Sequence, residues 1–261
     1  MPRFSANLGM LWAELPLLER IERAARAGFR AIELQFPQDT SAIQVRRACE
    51  RHGLTLLNIN TWPGEAADGG SGLGAIAGRE QAFRQAMDRA IEWCLESGAT
   101  GIHAMAGVVP RDCREQAAAV LVANLRDAAD KASRHGLTVL IEAINQRDKP
   151  GYFYSTQAEA LAILRQVGAD NLRLLFDVYH VGVSEGDVLT RLARYLPWIG
   201  HVQIAAVPTR AEPDEGEIRY EAVFRELDRL GYGGWVGCEY RARGGVEAGL
   251  GWMATLAAAG G

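Results

Sequence analysis

Along most of the chain, stretches with apolar residues at helical spacing end in a glycine and give way, within a few residues, to a short apolar run. The junction recurs at Gly28 (AGFRAIELQF), Gly53 (HGLTLLNIN), Gly98 (SGATGIHAMA), Gly136 (HGLTVLIEAI), Gly168 (VGADNLRLLFD) and Gly231 (LGYGGWVGCEY). Glycine at such a point closes a helix, because it enters the left-handed C′ conformation without strain. In YLPWIGHVQIA the stop is Pro197 instead. Together with the opening run RFSANLG, the pattern predicts eight strands.

The intervening segments read as helices. In REQAFRQAMDRAIEWCLESG, residues Phe83, Met87, Ala90, Ile91, Cys94 and Leu95 share one face at 3.6-residue spacing. In EQAAAVLVANLRDAADKASRHG the same holds for Leu121, Val122, Leu125, Ala128, Ala129 and Ala132. Strands alternating with helices define βαβ units and a parallel sheet. Eight units in 261 residues leave roughly 33 each, close to the size of a (β/α)8 barrel. A doubly wound sheet would carry G-x-G-x-x-G after its first strand, and none is present. The expected fold is therefore α/β, a single (β/α)8 TIM barrel over residues 1–261, with 257–261 as a frayed tail.

Composition narrows the function. No stretch approaches about 20 uncharged apolar residues, and the start MPRFSANLGMLWAELP lacks the apolar core of a signal peptide. The expectation is a cytoplasmic protein with no membrane partner. A net charge of −4 disfavours nucleic acid, whose phosphates call for a basic surface. Cysteines 49, 94, 113 and 238 form no C-x-x-C pair and read as reduced structural thiols. The two lysines, Lys131 and Lys149, lie outside the strand-like runs, which weighs against Schiff-base chemistry.

In a barrel of this kind the chemistry sits at the C-terminal ends of the strands. Strand five ends at Glu142, strand six at Asp177 and strand eight at Glu239, and strand seven carries Gln203 near its end. Carboxylates converging there repel one another unless a cation neutralises them. An all-oxygen set suits one hard divalent ion, Mg2+ or Mn2+, over Zn2+. Each acid singly has an alternative, as a helix N-cap or an arginine partner.

Other polar residues share that face. His180 follows Asp177 in FDVYH and is placed to hydrogen-bond a substrate oxygen, or else a loop carbonyl. Arg210 offers a fork of donors for a substrate carboxylate, or else pairs with Glu212 or Asp214. Asn145 follows strand five with Arg147 and Asp148 and completes the expected substrate contacts. His201 faces the same side of its strand as Gln203 and reads as an interior supporting residue. Trp12 and Trp62 fall in loops where they could wall a pocket, and Gly244–Gly245 could form a phosphate nest.

At these residues the chain resembles the hydroxypyruvate isomerase family, among the xylose-isomerase-like barrels. The resemblance rests on GREQAFRQAMDRAIE, IEAINQRDKPGYF, FDVYH, HVQIA…EPDEGEIRY and GCEYRARGGVEAGLGW, and spans essentially the whole chain. It implies a metal held by Glu142, Asp177, Gln203 and Glu239, with Glu142 and Glu239 as the proton donor and acceptor. It also implies a small-molecule substrate, hydroxypyruvate or a close short hydroxy-oxo acid, isomerised to tartronate semialdehyde or its counterpart through an enediol. Oligomeric state is left open, a homo-oligomer included. The chain departs from the family pattern at Ala143, Gly182, Ala206, Thr209 and Ala211, so substrate identity is less fixed than reaction class. The rivals are a sugar or oxo-tetronate isomerase or epimerase on the same barrel, and a non-catalytic metal-binding barrel. A metal-dependent abasic-site endonuclease fits poorly, because five histidines and an acidic charge suit neither a multi-zinc site nor DNA.

Overall fold

The computed structural model describes residues 2–65 and 70–258. Its strands are β1 (Arg3–Asn7), β2 (Ala31–Glu33), β3 (Thr55–Leu56), β4 (Asn58–Asn60), β5 (Gly101–His103), β6 (Thr138–Glu142), β7 (Leu172–Asp177), β8 (Ile199–Ile204) and β9 (Trp235–Cys238). The helices are α1 (Leu17–Arg26), α2 (Ala42–His52), α3 (Glu80–Ser97), α4 (Arg114–Ser133), α5 (Gln157–Val167), α6 (Val178–Ser184), α7 (Val188–Tyr195), α8 (Tyr220–Arg229), α9 (Val246–Gly249) and α10 (Gly251–Ala258). The strands pair in parallel in the order β3-β2-β1-β9-β8-β7-β6-β5-β4. That is an α/β barrel with its helices outside.

Nine strands appear where eight were expected because the third run divides at Leu57. The Leu57 N–H donates to Ile32 O (2.9 Å), while its carbonyl accepts from Gly101 N (2.9 Å), on the opposite side. One segment thus serves both edges of the sheet and closes the ring. The junction glycines Gly28, Gly53, Gly98, Gly136, Gly168 and Gly231 all have positive φ, from 65° to 92°. Gly53, Gly98 and Gly168 are themselves the left-handed caps of α2, α3 and α5. Helix α5 begins with a reciprocal Thr156–Glu159 capping box.

Alternation along each strand separates two environments. Ile32, Ile102, Ile141, Phe176, Val202 and Val236 are fully buried, as expected of side chains facing the helical layer. Their neighbours Glu33, His103, Glu142, Asp177, Gln203 and Gly237 take the opposite face, the barrel interior. In α3, Leu95 is 46% exposed although its period placed it on the buried face. At 100° per residue it lies roughly 120° from Phe83, just off the buried arc, while Trp93 takes a buried position. Trp12 packs edge-on against Phe29 and donates to Glu247 (3.0 Å), so it serves packing and not a pocket wall. All four cysteines are free, and Cys113 is exposed. No described helix is long and apolar enough to cross a membrane. Of the expected tail, 257 and 258 belong to α10, and 259–261 lie outside the described residues.

Candidate active site

Glu142, Asp177, Gln203 and Glu239 come from four consecutive strands, β6 to β9, with Asp177 opposite Gln203 in register. A cavity of about 550 Å³ opens at this end of the barrel, with Glu142 and Glu239 in its wall alongside His103, His180 and Arg210. Asp177 and Gln203 are buried beneath them. A larger hollow, about 690 Å³, lies against α10 and is lined by Asp214, Glu215 and Arg243. Those three groups pair with one another there, away from the strand-end acids.

The acids are electrostatically uncomfortable. Burial, then the charges of Glu239 and Asp177, pushes the Glu142 carboxyl well above the ordinary carboxylate range. Burial and Glu239 likewise raise Asp177, to about 7. Burial raises Glu239 as well, tempered by Arg210. Asp177 Oδ1 accepts the Tyr179 N–H (2.9 Å), so the residue caps α6 while Oδ2 stays free. Glu239 is held by Gln35 (2.7 Å), Asn7 (3.3 Å) and Arg210 (3.2 Å).

Three buried oxygens, Glu142 Oε1, Asp177 Oδ2 and Gln203 Oε1, have no hydrogen-bond partner among the described residues. Such orphans are rare in folded proteins and ask for a ligand. Three carboxylates with raised pKa values, plus an amide oxygen, fit one hard divalent cation.

His180 stands next to this set, and a ligand atom from each of Glu142, Asp177 and His180 lies within 4.8 Å of the others. Its ring is nonetheless committed otherwise. Nδ1 lies 3.4 Å from the Asn145 N–H and 2.6 Å from Asn145 Nδ2. Burial, reinforced by Arg210, holds the imidazole far below its usual pKa and therefore neutral. A neutral ring that accepts at Nδ1 carries its proton on Nε2, 3.6 Å from Glu142 Oε1 and from Asp177 Oδ2. His180 thus presents a donor to the site.

Asn145, expected to touch substrate, is fully buried and holds that ring, while its Oδ1 accepts from Asp148 N (2.8 Å). Arg210 pairs with neither Glu212 nor Asp214. Arg243 holds those two acids, and Arg210 turns into the mouth toward Glu239 (3.2 Å) and Asp148 (3.5 Å). The turn that aims it places Arg210 itself at φ 56°, with its N–H on Ala206 O (2.8 Å).

Of the departures from the family pattern, Thr209 lines the cavity, whereas Ala206 and Ala211 are buried within the turn. At Gly182 a Cβ would come within 2.7 Å of Ile218 Cδ1, so a longer side chain needs a different Ile218. Four participants escaped the sequence reading: Glu33, Gln35, His103 and Asn7. Each is a polar residue within or at the end of an apolar run in strands one to four. Burial holds His103 down to about 4, leaving it neutral at the cavity wall, with Nδ1 3.6 Å from Glu142 Oε2. Glu33 is fully buried, yet Gln203, Ser5 and His201 surround its carboxylate with donors. Burial alone would raise its pKa, but His201 and the hydrogen bonds outweigh it and hold the group below the ordinary value.

A barrel closed around strand-end acids is an architecture that isomerases use, and comparison with known proteins agrees. The family model described as "Xylose isomerase-like TIM barrel" matches residues 21–256. The 2-oxo-tetronate isomerase of Cupriavidus necator is 48% identical over 97% of this chain and 98% of its own. The hydroxypyruvate isomerase of Escherichia coli is 39% identical over 97% and 98%. A crystal structure from Brucella melitensis, described as AP endonuclease, family 2, superposes with a TM-score of 0.95 at 43% identity, covering 98% of this chain and 99% of that one. The chain belongs to the xylose isomerase-like TIM barrel family, in the group of its hydroxypyruvate and 2-oxo-tetronate isomerases. It is an isomerase.

Proposed function

We propose that this isomerase is divalent-metal-dependent and moves the carbonyl of a short hydroxy-oxo acid, 2-oxo-tetronate, to the neighbouring carbon through an enediol. The observation that carries the reading is the buried trio Glu142, Asp177 and Glu239, raised in pKa and flanked by unpartnered oxygens at a barrel mouth. Glu142, Asp177, Gln203 and Glu239 would hold Mg2+ or Mn2+. When bound, the ion supplies neutralisation and Lewis-acid polarisation of adjacent substrate oxygens.

The chain's own groups supply the rest. Glu142 and Glu239 stand at the two ends of the four-strand arc, suited to take a proton from one substrate carbon and return one to the next. The electron pair of the broken C3–H bond becomes the C2=C3 bond of the enediol and then the new C2–H bond, while the hydroxyl proton passes from O3 to O2, so no oxidant is required. The His180 Nε2–H donates to a substrate oxygen, and Asn145 holds the ring in that tautomer. Arg147, Lys149 and Arg241 ring the opening and suit a carboxylate, which favours an oxo acid over a neutral sugar.

The 48% identity to the C. necator 2-oxo-tetronate isomerase supports taking the four-carbon acid as the first reading. A cavity of about 550 Å³ has room for four carbons. Hydroxypyruvate is the second reading, supported by the E. coli relative and by the same chemistry. Steady-state kinetics on both acids with saturating Mg2+ tests the choice. A higher kcat/KM for 2-oxo-tetronate is expected, and a preference for hydroxypyruvate would reverse the order.

A further inference from the structure

We propose that Glu33 fixes which end of the Gln203 amide faces the mouth, and so makes Gln203 an oxygen ligand. The inference rests on the metal-dependent reading above and assigns a role to a residue outside the ligand set. Glu33 lies on β2, separated from β8 by β1 and β9 in the ladder, so its side chain reaches across the barrel interior. Its Oε2 accepts from Gln203 Nε2 at 2.7 Å. Ser5 Oγ (2.9 Å) and His201 Nε2 (3.1 and 3.2 Å) donate to the same carboxylate and hold it in place.

An ionised carboxylate only accepts hydrogen bonds. Turning the Gln203 amide over would therefore set oxygen against oxygen, and the amide is locked with nitrogen inward. Its Oε1 is then the atom directed away from Glu33, and it is a buried oxygen without a partner among the described residues. An amide nitrogen has no lone pair to give a cation, so the orientation decides whether Gln203 binds at all. Gly237 on β9 keeps the passage open: a Cβ there would overlap Glu33 Oε1 and come within 2.9 Å of Gln203 Cγ.

The test is calorimetric titration of Mn2+ into chelator-stripped wild type, Glu33→Gln and the double variant Glu33→Gln/Gln203→Glu, with circular dichroism to verify folding. Glu33→Gln supplies both a donor and an acceptor, so the Gln203 amide is free to turn. Its Mn2+ affinity is expected to fall about 10–100-fold, as for other residues that orient metal ligands. A carboxylate at 203 offers oxygen whichever way it turns, so the double variant should return to within about threefold of wild type. A merely structural role for Glu33 would not be rescued at position 203. Unchanged affinity in Glu33→Gln, or a double variant as weak as the single one, overturns the inference. If Glu33→Gln does not fold, the double variant decides alone, on the same threefold criterion. Failure of the wild type itself to take up Mn2+ would fell the metal reading, whereas normal wild-type binding with an indifferent Glu33→Gln fells only the role of Glu33.

Discussion

Replacing Asp177 by asparagine should stabilise the metal-free protein while removing its affinity for metal. Asp177 Oδ1 caps α6 by accepting the Tyr179 N–H at 2.9 Å, and an asparagine Oδ1 keeps that bond. What disappears is a buried charge that Glu239 repels and whose pKa rises to about 7 from an ordinary 3.8. A carboxyl raised in the fold binds a proton that the unfolded chain has released, so stability falls as pH rises between the two values. Each pH unit in that window costs about 1.4 kcal/mol. From pH 5 to pH 8 the wild type should thus lose on the order of 3 kcal/mol relative to Asp177→Asn. For a chain of this size that corresponds to about 5–10 °C in Tm. Thermal melts of both chelator-stripped proteins at pH 5 and pH 8 measure it. Saturating Mn2+ should then close most of that gap at pH 8, since an ion at about 100 times its Kd adds about 2.7 kcal/mol to the protein that binds it. An Asp177→Asn advantage that does not grow between pH 5 and pH 8 would refute the claim that burial and the neighbouring Glu239 raise this carboxyl.

Glu142→Gln and Glu239→Gln each keep an oxygen but remove the base, and turnover at saturating Mg2+ should fall about 10²–10⁴-fold; near-wild-type rates in both would end the two-glutamate mechanism. Asn145→Ala leaves Nδ1 of His180 with only the backbone N–H of residue 145, so kcat/KM should drop roughly tenfold with the fold intact, the loss of one charge-free hydrogen-bonding partner. Thr156→Ala removes the cap of α5 at a position that does not line the cavity, and should cost about 1 kcal/mol in a denaturant titration with turnover unchanged.

The barrel was legible because its punctuation is local. A glycine closing a helix and an apolar run after it are properties of short windows, and all six of those junction glycines adopt positive φ. The split of the third strand was not legible, because it depends on both neighbours of Leu57 at once. Glu142, Asp177, Gln203 and Glu239 could be picked out because each interrupts or ends an apolar run. The same rule applied to strands one to four would have found Asn7, Glu33, Gln35 and His103. Partner choice was the opaque part. Arg210 reaches Glu239 and Asp148 across the mouth, while Arg243 takes the acids nearest to Arg210 in the chain. Asn145 turned from the mouth to His180 for the same reason: long side chains choose partners by the packing of distant loops, which no periodicity records.

Proton NMR of 2-oxo-tetronate, incubated first with chelator-stripped protein and then with added Mg2+, decides whether turnover depends on the metal. No isomer should form before the metal is added, and steady conversion to the 3-oxo acid should follow. Conversion at the same rate by the stripped protein would contradict that dependence.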